Sequence, residues 1–167
     1  MTSDREIQIK PTRDPKVIAA CALMMVHTDP WITLGMSYDY CVKAFEGGFR
    51  EVYVLEFGTD LAGFVIMQTE GTFKGYIQTI CISEPFRGKG LGKQLLQFCQ
   101  ERIMEYSPNV FICVSSFNTG AIRLYLELGF KLVGELDNFV REGFTELLFR
   151  KSFGSIVGYN PRKSLGK

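Results

Sequence analysis

Six consecutive residues, Arg87-Gly88-Lys89-Gly90-Leu91-Gly92, carry the sharpest chemical signature in the chain. Glycines let the backbone approach an anion closely, and Arg87 and Lys89 add positive charge. A helix predicted to start at Leu91 contributes unpaired N–H groups and the positive end of its dipole. This combination suits a phosphate group. A P-loop needs a glycine separated by four residues from its Gly-Lys pair. Ahead of Gly92-Lys93 that position is Arg87, and Gln94 stands where Ser or Thr is required. A dinucleotide fingerprint needs Gly-x-Gly-x-x-Gly, and the interval from Gly90 to Gly92 is one residue too short. The spacing left is Arg87-x-x-Gly90-x-Gly92, beginning five residues after Ile82.

Other reactive side chains offer less. His27 is the single histidine and follows an apolar helix, where capping the C-terminus is the expected role. With one histidine among five cysteines, a cysteine nucleophile has little support. No Cys-x-x-Cys pair or histidine cluster exists, so no metal is expected. Met24 and Met25 read as core. Trp31 is either a substrate-facing aromatic or a hydrophobic anchor.

These residues are positioned by alternating elements. Ile7–Lys10 reads as a strand and Asp14-Pro15 as a helix start, with an N-cap acceptor followed by proline. Ser37 can cap a short helix bearing Tyr38, Cys41 and Phe45. Glu51–Phe57 and Leu61–Thr69 form a hairpin around Gly58-Thr59-Asp60. Within it, Phe64-Val65-Ile66-Met67 is apolar on both faces, as in a strand covered on both sides. Tyr76–Ile82 is a strand leading into the glycine loop. The helix from Leu91 to about Tyr106 then buries Leu96, Cys99, Ile103 and Tyr106. Val110–Val114 is a buried strand, and Thr119–Leu128 is a helix closed by Gly129. Leu132–Leu136 and Thr145–Lys151 form a last strand pair. Residues 1–153 are expected to be a single domain, and 154–167, with the basic residues Arg162, Lys163 and Lys167, a mobile tail.

Arg87-x-x-Gly90-x-Gly92 resembles the acetyl-CoA motif of the GNAT superfamily of N-acetyltransferases. Asn118-x-x-Ala121-x-x-x-Tyr125-x-x-x-Gly129-Phe130 resembles the second half of the same signature, in the right order and on the expected elements. The resemblance covers Leu61 to Lys151, and the residues before it match only in pattern. It implies an α/β fold: a mixed sheet of six or seven strands flanked by helices and splayed at the acetyl-CoA site. It further implies that the amides of Gly88, Lys89, Gly90, Leu91 and Gly92 hold the pyrophosphate, with Arg87 positioning the loop. Backbone groups of Ile80 and Ile82 pair with the pantetheine arm like an added strand. Asn118 caps its helix and hydrogen-bonds near the pantetheine. Tyr125 protonates the departing thiolate, a role open to a phenol that stays protonated at neutral pH. The alternative for Tyr125 is a core aromatic, since Ala121, Leu124 and Leu128 share its helix face.

The implied reaction is direct acetyl transfer from acetyl-CoA to an amine in a ternary complex, with acetyl-CoA as cosubstrate and no metal. The general base has no obvious bearer. The strand entering the loop offers Tyr76, Gln78 and Thr79, and Cys113 stands where N-terminal acetyltransferases carry glutamate. A water relay to a more distant carboxylate or a backbone carbonyl stays open, with Asp39, Glu46 and Glu70, from the variable region and the strand ends, as candidates. A near-neutral charge and the aromatic residues Trp31, Tyr38, Tyr40 and Phe45 point to a small or partly apolar acceptor. Two alternatives stay open: a non-enzymatic acyl-CoA-binding module, and an enzyme acting on protein or peptide amines.

Composition is consistent with this reading. The 167 residues suffice for one sizeable core, with 46% hydrophobic and 22% charged residues. Nineteen basic against eighteen acidic side chains leave a net charge of +1, which supports neither nucleic acid nor an anionic membrane as partner. A homodimer is left open. The odd cysteine count, a polar N-terminus and the lack of a long apolar run point to a soluble cytoplasmic protein with reduced thiols.

Overall fold

A computed structural model of the chain describes residues Arg5–Pro161. In chain order the elements are β1 (Ile7–Pro11), α1 (Pro15–Val26), α2 (Tyr38–Lys43), β2 (Arg50–Phe57) and β3 (Asp60–Gln68). They continue with β4 (Tyr76–Ile82), a 3-10 turn at Glu84–Phe86, α3 (Leu91–Met104), β5 (Asn109–Ser115), α4 (Thr119–Glu127), β6 (Lys131–Asp137) and β7 (Thr145–Ser152). The strands hydrogen-bond in the order β1-β2-β3-β4-β5-β7-β6, a seven-stranded mixed sheet flanked by helices. β1–β2, β5–β7 and β6–β7 pair antiparallel, whereas β4 and β5 run parallel. The β4–β5 ladder joins Tyr76 to Phe111 and Ile77 to Ile112.

Local chemistry sets most of these boundaries. Asp14 accepts from Lys16 N at 2.9 Å, Ser37 from Tyr40 N at 3.2 Å and Asn118 from Ala121 N at 3.3 Å. Each cap satisfies an orphan amide and contributes about 1 kcal/mol. Helix α3 stops at Met104, before the predicted Tyr106, because Ser107 precedes Pro108 and is biased out of the helical region.

The described residues divide into two compact units: those up to Met67 together with Thr79–Leu96, and Gln68–Gln78 together with those from Gln97 onward. In the first, Phe64, Val65, Ile66 and Met67 are wholly buried, as their apolar run predicts. Phe45 stacks on Phe64 with ring centroids 5.3 Å apart and is itself buried. It is therefore a core residue and not part of a substrate-facing aromatic set. Tyr38 and Tyr40 remain exposed. In the second unit, Cys99 and Ile103 of α3, Val110 and Ile112 of β5, Tyr125 of α4, Phe130 and Phe149 are buried.

Gly75 seats β4 in the second unit. A Cβ there would lie 2.3 Å from the Asn109 carbonyl oxygen and 2.8 Å from Ile103, and its φ is +91°. Only glycine permits both the conformation and the approach. Its carbonyl accepts from Phe111 N at 3.0 Å, which holds Tyr76 opposite Phe111. Within the expected tail, the Tyr159 hydroxyl donates to the Met104 carbonyl. Arg162, Lys163 and Lys167 lie outside the described residues.

Candidate active site

In the first unit the loop of Arg87 to Gly90 joins the 3-10 turn to α3. Gly88 and Gly90 have φ of +72° and +77°, and a Cβ at either would meet nothing within 4 Å. The left-handed backbone thus favours glycine at both positions, and the space around the loop is open. The Gly90 carbonyl accepts from Gln94 N at 3.1 Å, so the amides of Leu91, Gly92 and Lys93 belong to the unpaired first turn. Leu91 is buried and anchors the helix start. The Arg87 Nε donates to the Ile82 carbonyl at 3.1 Å, tying the loop back to the end of β4. Open backbone, helix N-terminus and two cations fit a pyrophosphate.

In the second unit Asn118 caps α4 with its side-chain oxygen. About two turns further on, the Tyr125 ring lies edge-on to Phe149 at 6.1 Å and tilted to Phe130 at 5.9 Å, with 4% of the residue exposed. Burial, then the nearby Cys99 and Cys113 thiols, raise its phenol well above the ordinary value. Tyr125 therefore stays protonated, able to donate and unable to serve as a base.

The sheet in this unit has two chemically distinct faces. Register puts Val110, Ile112, Val114, Leu147, Phe149 and Lys151 on one face, where Phe149 meets Tyr125 and Lys151 donates to Gln100 of α3 at 2.7 Å. On the other face stand Tyr76 of β4, Phe111, Cys113 and Ser115 of β5, and Glu146, Leu148 and Arg150 of β7. Here the Ser115 hydroxyl donates to Glu146 Oε1 at 2.6 Å, and Glu146 is 5% exposed. The Tyr76 hydroxyl lies within hydrogen-bonding reach of the Cys113 sulfur. Burial pushes the Tyr76 phenol up, and its neighbours Cys113, Glu146 and Tyr125 push it further. Burial also raises the Glu146 carboxyl, with Ser115 partly offsetting it.

Of the carboxylates expected from the sequence, Asp39 is exposed in the first turn of α2, and Glu46 and Glu70 are exposed. Glu146 was missed because a lone glutamate in a strand gives no local signal; its setting exists only through pairing with β5. His27 closes α1, its Nδ1 2.9 Å from the Leu23 carbonyl oxygen. All five cysteines are free thiols. Among the described residues no group of three or more His, Cys, Asp or Glu is arranged to hold a metal ion, and no helix is long and apolar enough to cross a membrane.

A model of the acetyltransferase (GNAT) family matches residues 18–130, a span that takes in both halves of the signature. The chain belongs to that family. Membership makes it an acetyltransferase and makes acetyl-CoA its donor. Among similar proteins, an N-alpha-acetyltransferase of Sulfurisphaera tokodaii is 29% identical over 115 residues, covering 61% of this chain and 67% of the relative. A spermine/spermidine N(1)-acetyltransferase of Bacillus subtilis is 32% identical over 90 residues, 47% of this chain and 57% of that enzyme. The alignment thus spans little more than half the length of that relative. A crystal structure of a GNAT family acetyltransferase from Elizabethkingia anophelis with acetyl-CoA bound superposes with a TM-score of 0.65. It is 19% identical, over 87% of this chain and 97% of that one, and shares the GNAT fold.

Proposed function

We propose that this GNAT member acetylates the primary amine of a small or partly apolar acceptor by direct attack on acetyl-CoA, with residues 1–153 as one catalytic domain. The carrying observation is the loop at the head of α3, where Gly88 and Gly90 hold left-handed backbone over open space. The amides from Gly88 to Gly92 bind the pyrophosphate, and Arg87 fixes the loop through the Ile82 carbonyl. Backbone groups of Ile80 and Ile82 pair with the pantetheine, Asn118 hydrogen-bonds near it, and Tyr125 protonates the leaving sulfur. Likeness to a polyamine acetyltransferase supports a small acceptor, as do the exposed Tyr38 and Tyr40. Likeness to an N-alpha-acetyltransferase favours a second reading, a peptide α-amine. The free thiols, four of them buried, suit a reducing compartment such as the cytoplasm.

The test is release of free coenzyme A thiol from acetyl-CoA with polyamines, amino acids and short peptides, set against an amine-free control. Amine-dependent release with the small amines supports the proposal. Release with peptides alone moves the acceptor to the second reading. Acetyl-CoA binding without amine-dependent release leaves only a binding module.

A further inference from the structure

The acetyl-transfer reading leaves a proton without a destination, and the face of the sheet turned away from Tyr125's packing partners holds a group able to take it. Glu146 is 5% exposed on β7 with a single donor recorded, the Ser115 hydroxyl at 2.6 Å. From β4 it is faced by Tyr76, from β5 by Cys113 and Ser115, and from β6 by Leu136 directly opposite. Glu135 and Asp137 of β6 sit opposite Leu147 and Thr145 and so belong to the other face. The cation on Glu146's own face, Arg150, is engaged by Asn109 Oδ1 at 2.9 Å and by the Ser152 hydroxyl. Among the described residues no cation pairs with Glu146.

A buried carboxylate without a counter-charge is costly, and a purely structural hydrogen-bond acceptor for Ser115 could equally be an uncharged glutamine. Groups kept ionisable in such settings cluster at catalytic sites. We propose that Glu146 is the proton acceptor for the attacking amine, receiving that proton on the sheet face that carries Tyr76, Cys113 and Ser115. The inference rests on the acetyltransferase reading above.

The step balances as follows. The acceptor arrives as an ammonium, its nitrogen gains a bond to the acetyl carbon and sheds two protons, and the carbon–sulfur bond breaks. Glu146 takes one of these protons and gives it to water between turnovers. The sulfur takes its proton from Tyr125, which recovers one from the second proton shed. Tyr76 and Cys113 cannot replace Glu146, because burial keeps both protonated near neutral pH. Burial likewise lifts the Glu146 carboxyl, bringing it closer in proton affinity to the amine it serves.

Glu146→Gln keeps the size and the acceptor for Ser115 and removes the base. With the most active amine, kcat/KM at neutral pH should fall by ~10²–10⁴-fold, the usual worth of general acid–base catalysis, with KM for acetyl-CoA unchanged. The acidic limb of the wild-type pH profile should vanish, leaving a rate that climbs with pH as the amine deprotonates in solution. Glu146→Asp should retain an acidic limb at reduced rate. A Glu146→Gln protein with the wild-type rate, or with a loss equal at every pH and the acidic limb intact, overturns the assignment. Should Glu146→Gln fail to fold, Glu146→Asp decides: a displaced limb supports the base, an undisplaced one overturns it. Wild-type protein that releases no thiol with any amine overturns the acetyltransferase reading itself, a separate failure visible before any variant is made.

Discussion

Ser115 and Glu146 occupy directly opposed positions on β5 and β7, and the Ser115 hydroxyl donates to the Glu146 carboxylate at 2.6 Å. One hydroxyl only partly offsets the cost of burial, so the carboxyl stays raised above its ordinary value. A folded state that holds its proton more tightly than the unfolded chain gains stability at acid pH. That gain is lost as pH rises through the folded value. Glu146→Gln should therefore melt at a higher temperature than the wild type at about pH 7. The difference should close as pH falls below the unfolded carboxyl value of about 4.3. Paired thermal melts across pH check this, and a variant that melts lower at every pH contradicts it. Activity and stability should thus move in opposite directions at this residue.

Gly90→Asp should abolish coenzyme A binding while leaving the fold near intact. No atom crowds the Cβ position, and aspartate tolerates both a left-handed conformation and the start of a helix better than most residues. Its carboxylate would face the pyrophosphate. Calorimetry that finds unchanged affinity would show that the loop binds something else.

Arg87→Ala should weaken coenzyme A binding by about 1–3 kcal/mol, the range for a charge-assisted hydrogen bond. Part of that loss comes from freeing the loop, because the Arg87 Nε holds the Ile82 carbonyl at 3.1 Å. Titration at low salt measures it, and an unaltered Kd means that the amides suffice.

The five thiols should alkylate slowly with iodoacetamide. Burial pushes Cys21 and Cys81 up to about 12 and raises Cys41, Cys99 and Cys113 as well. Little thiolate is present at neutral pH. Cys113 is the least buried and should be modified first. Mass spectrometry of a time course would count the labels, and rapid labelling of one site that acetyl-CoA prevents would point to an acyl-cysteine route.

Tyr125→Phe should lower kcat by ~10²–10⁴-fold with KM for acetyl-CoA nearly unmoved, because the hydroxyl donates where charge develops only as the thiolate leaves. The ring contacts to Phe130 and Phe149 survive the change, so the melting temperature should hold. Since burial raises the phenol, wild-type activity should show no loss from Tyr125 ionisation below about pH 10. Full activity in the variant would make Tyr125 a packing residue.

Contiguous residues wrote the glycine loop proposed for the pyrophosphate, because glycine conformations and a helix N-terminus are properties of a short segment. The caps at Asp14 and Ser37 were legible for the same reason: donor and acceptor lie two or three residues apart. Strand identities followed from runs such as Phe64–Met67. What tertiary structure alone decided is which strands meet and in what register. Glu146 reaches Ser115 across 31 residues of chain, and Tyr76 reaches Cys113 only once Gly75 has let β4 lie against Asn109. Phe45, just beyond the end of α2, entered the core through Phe64, a contact that no local periodicity encodes. Side-chain type and local spacing therefore determined the glycine loop and the helix start behind it, whereas the setting of the buried carboxylate depended on long-range pairing that no single segment contains.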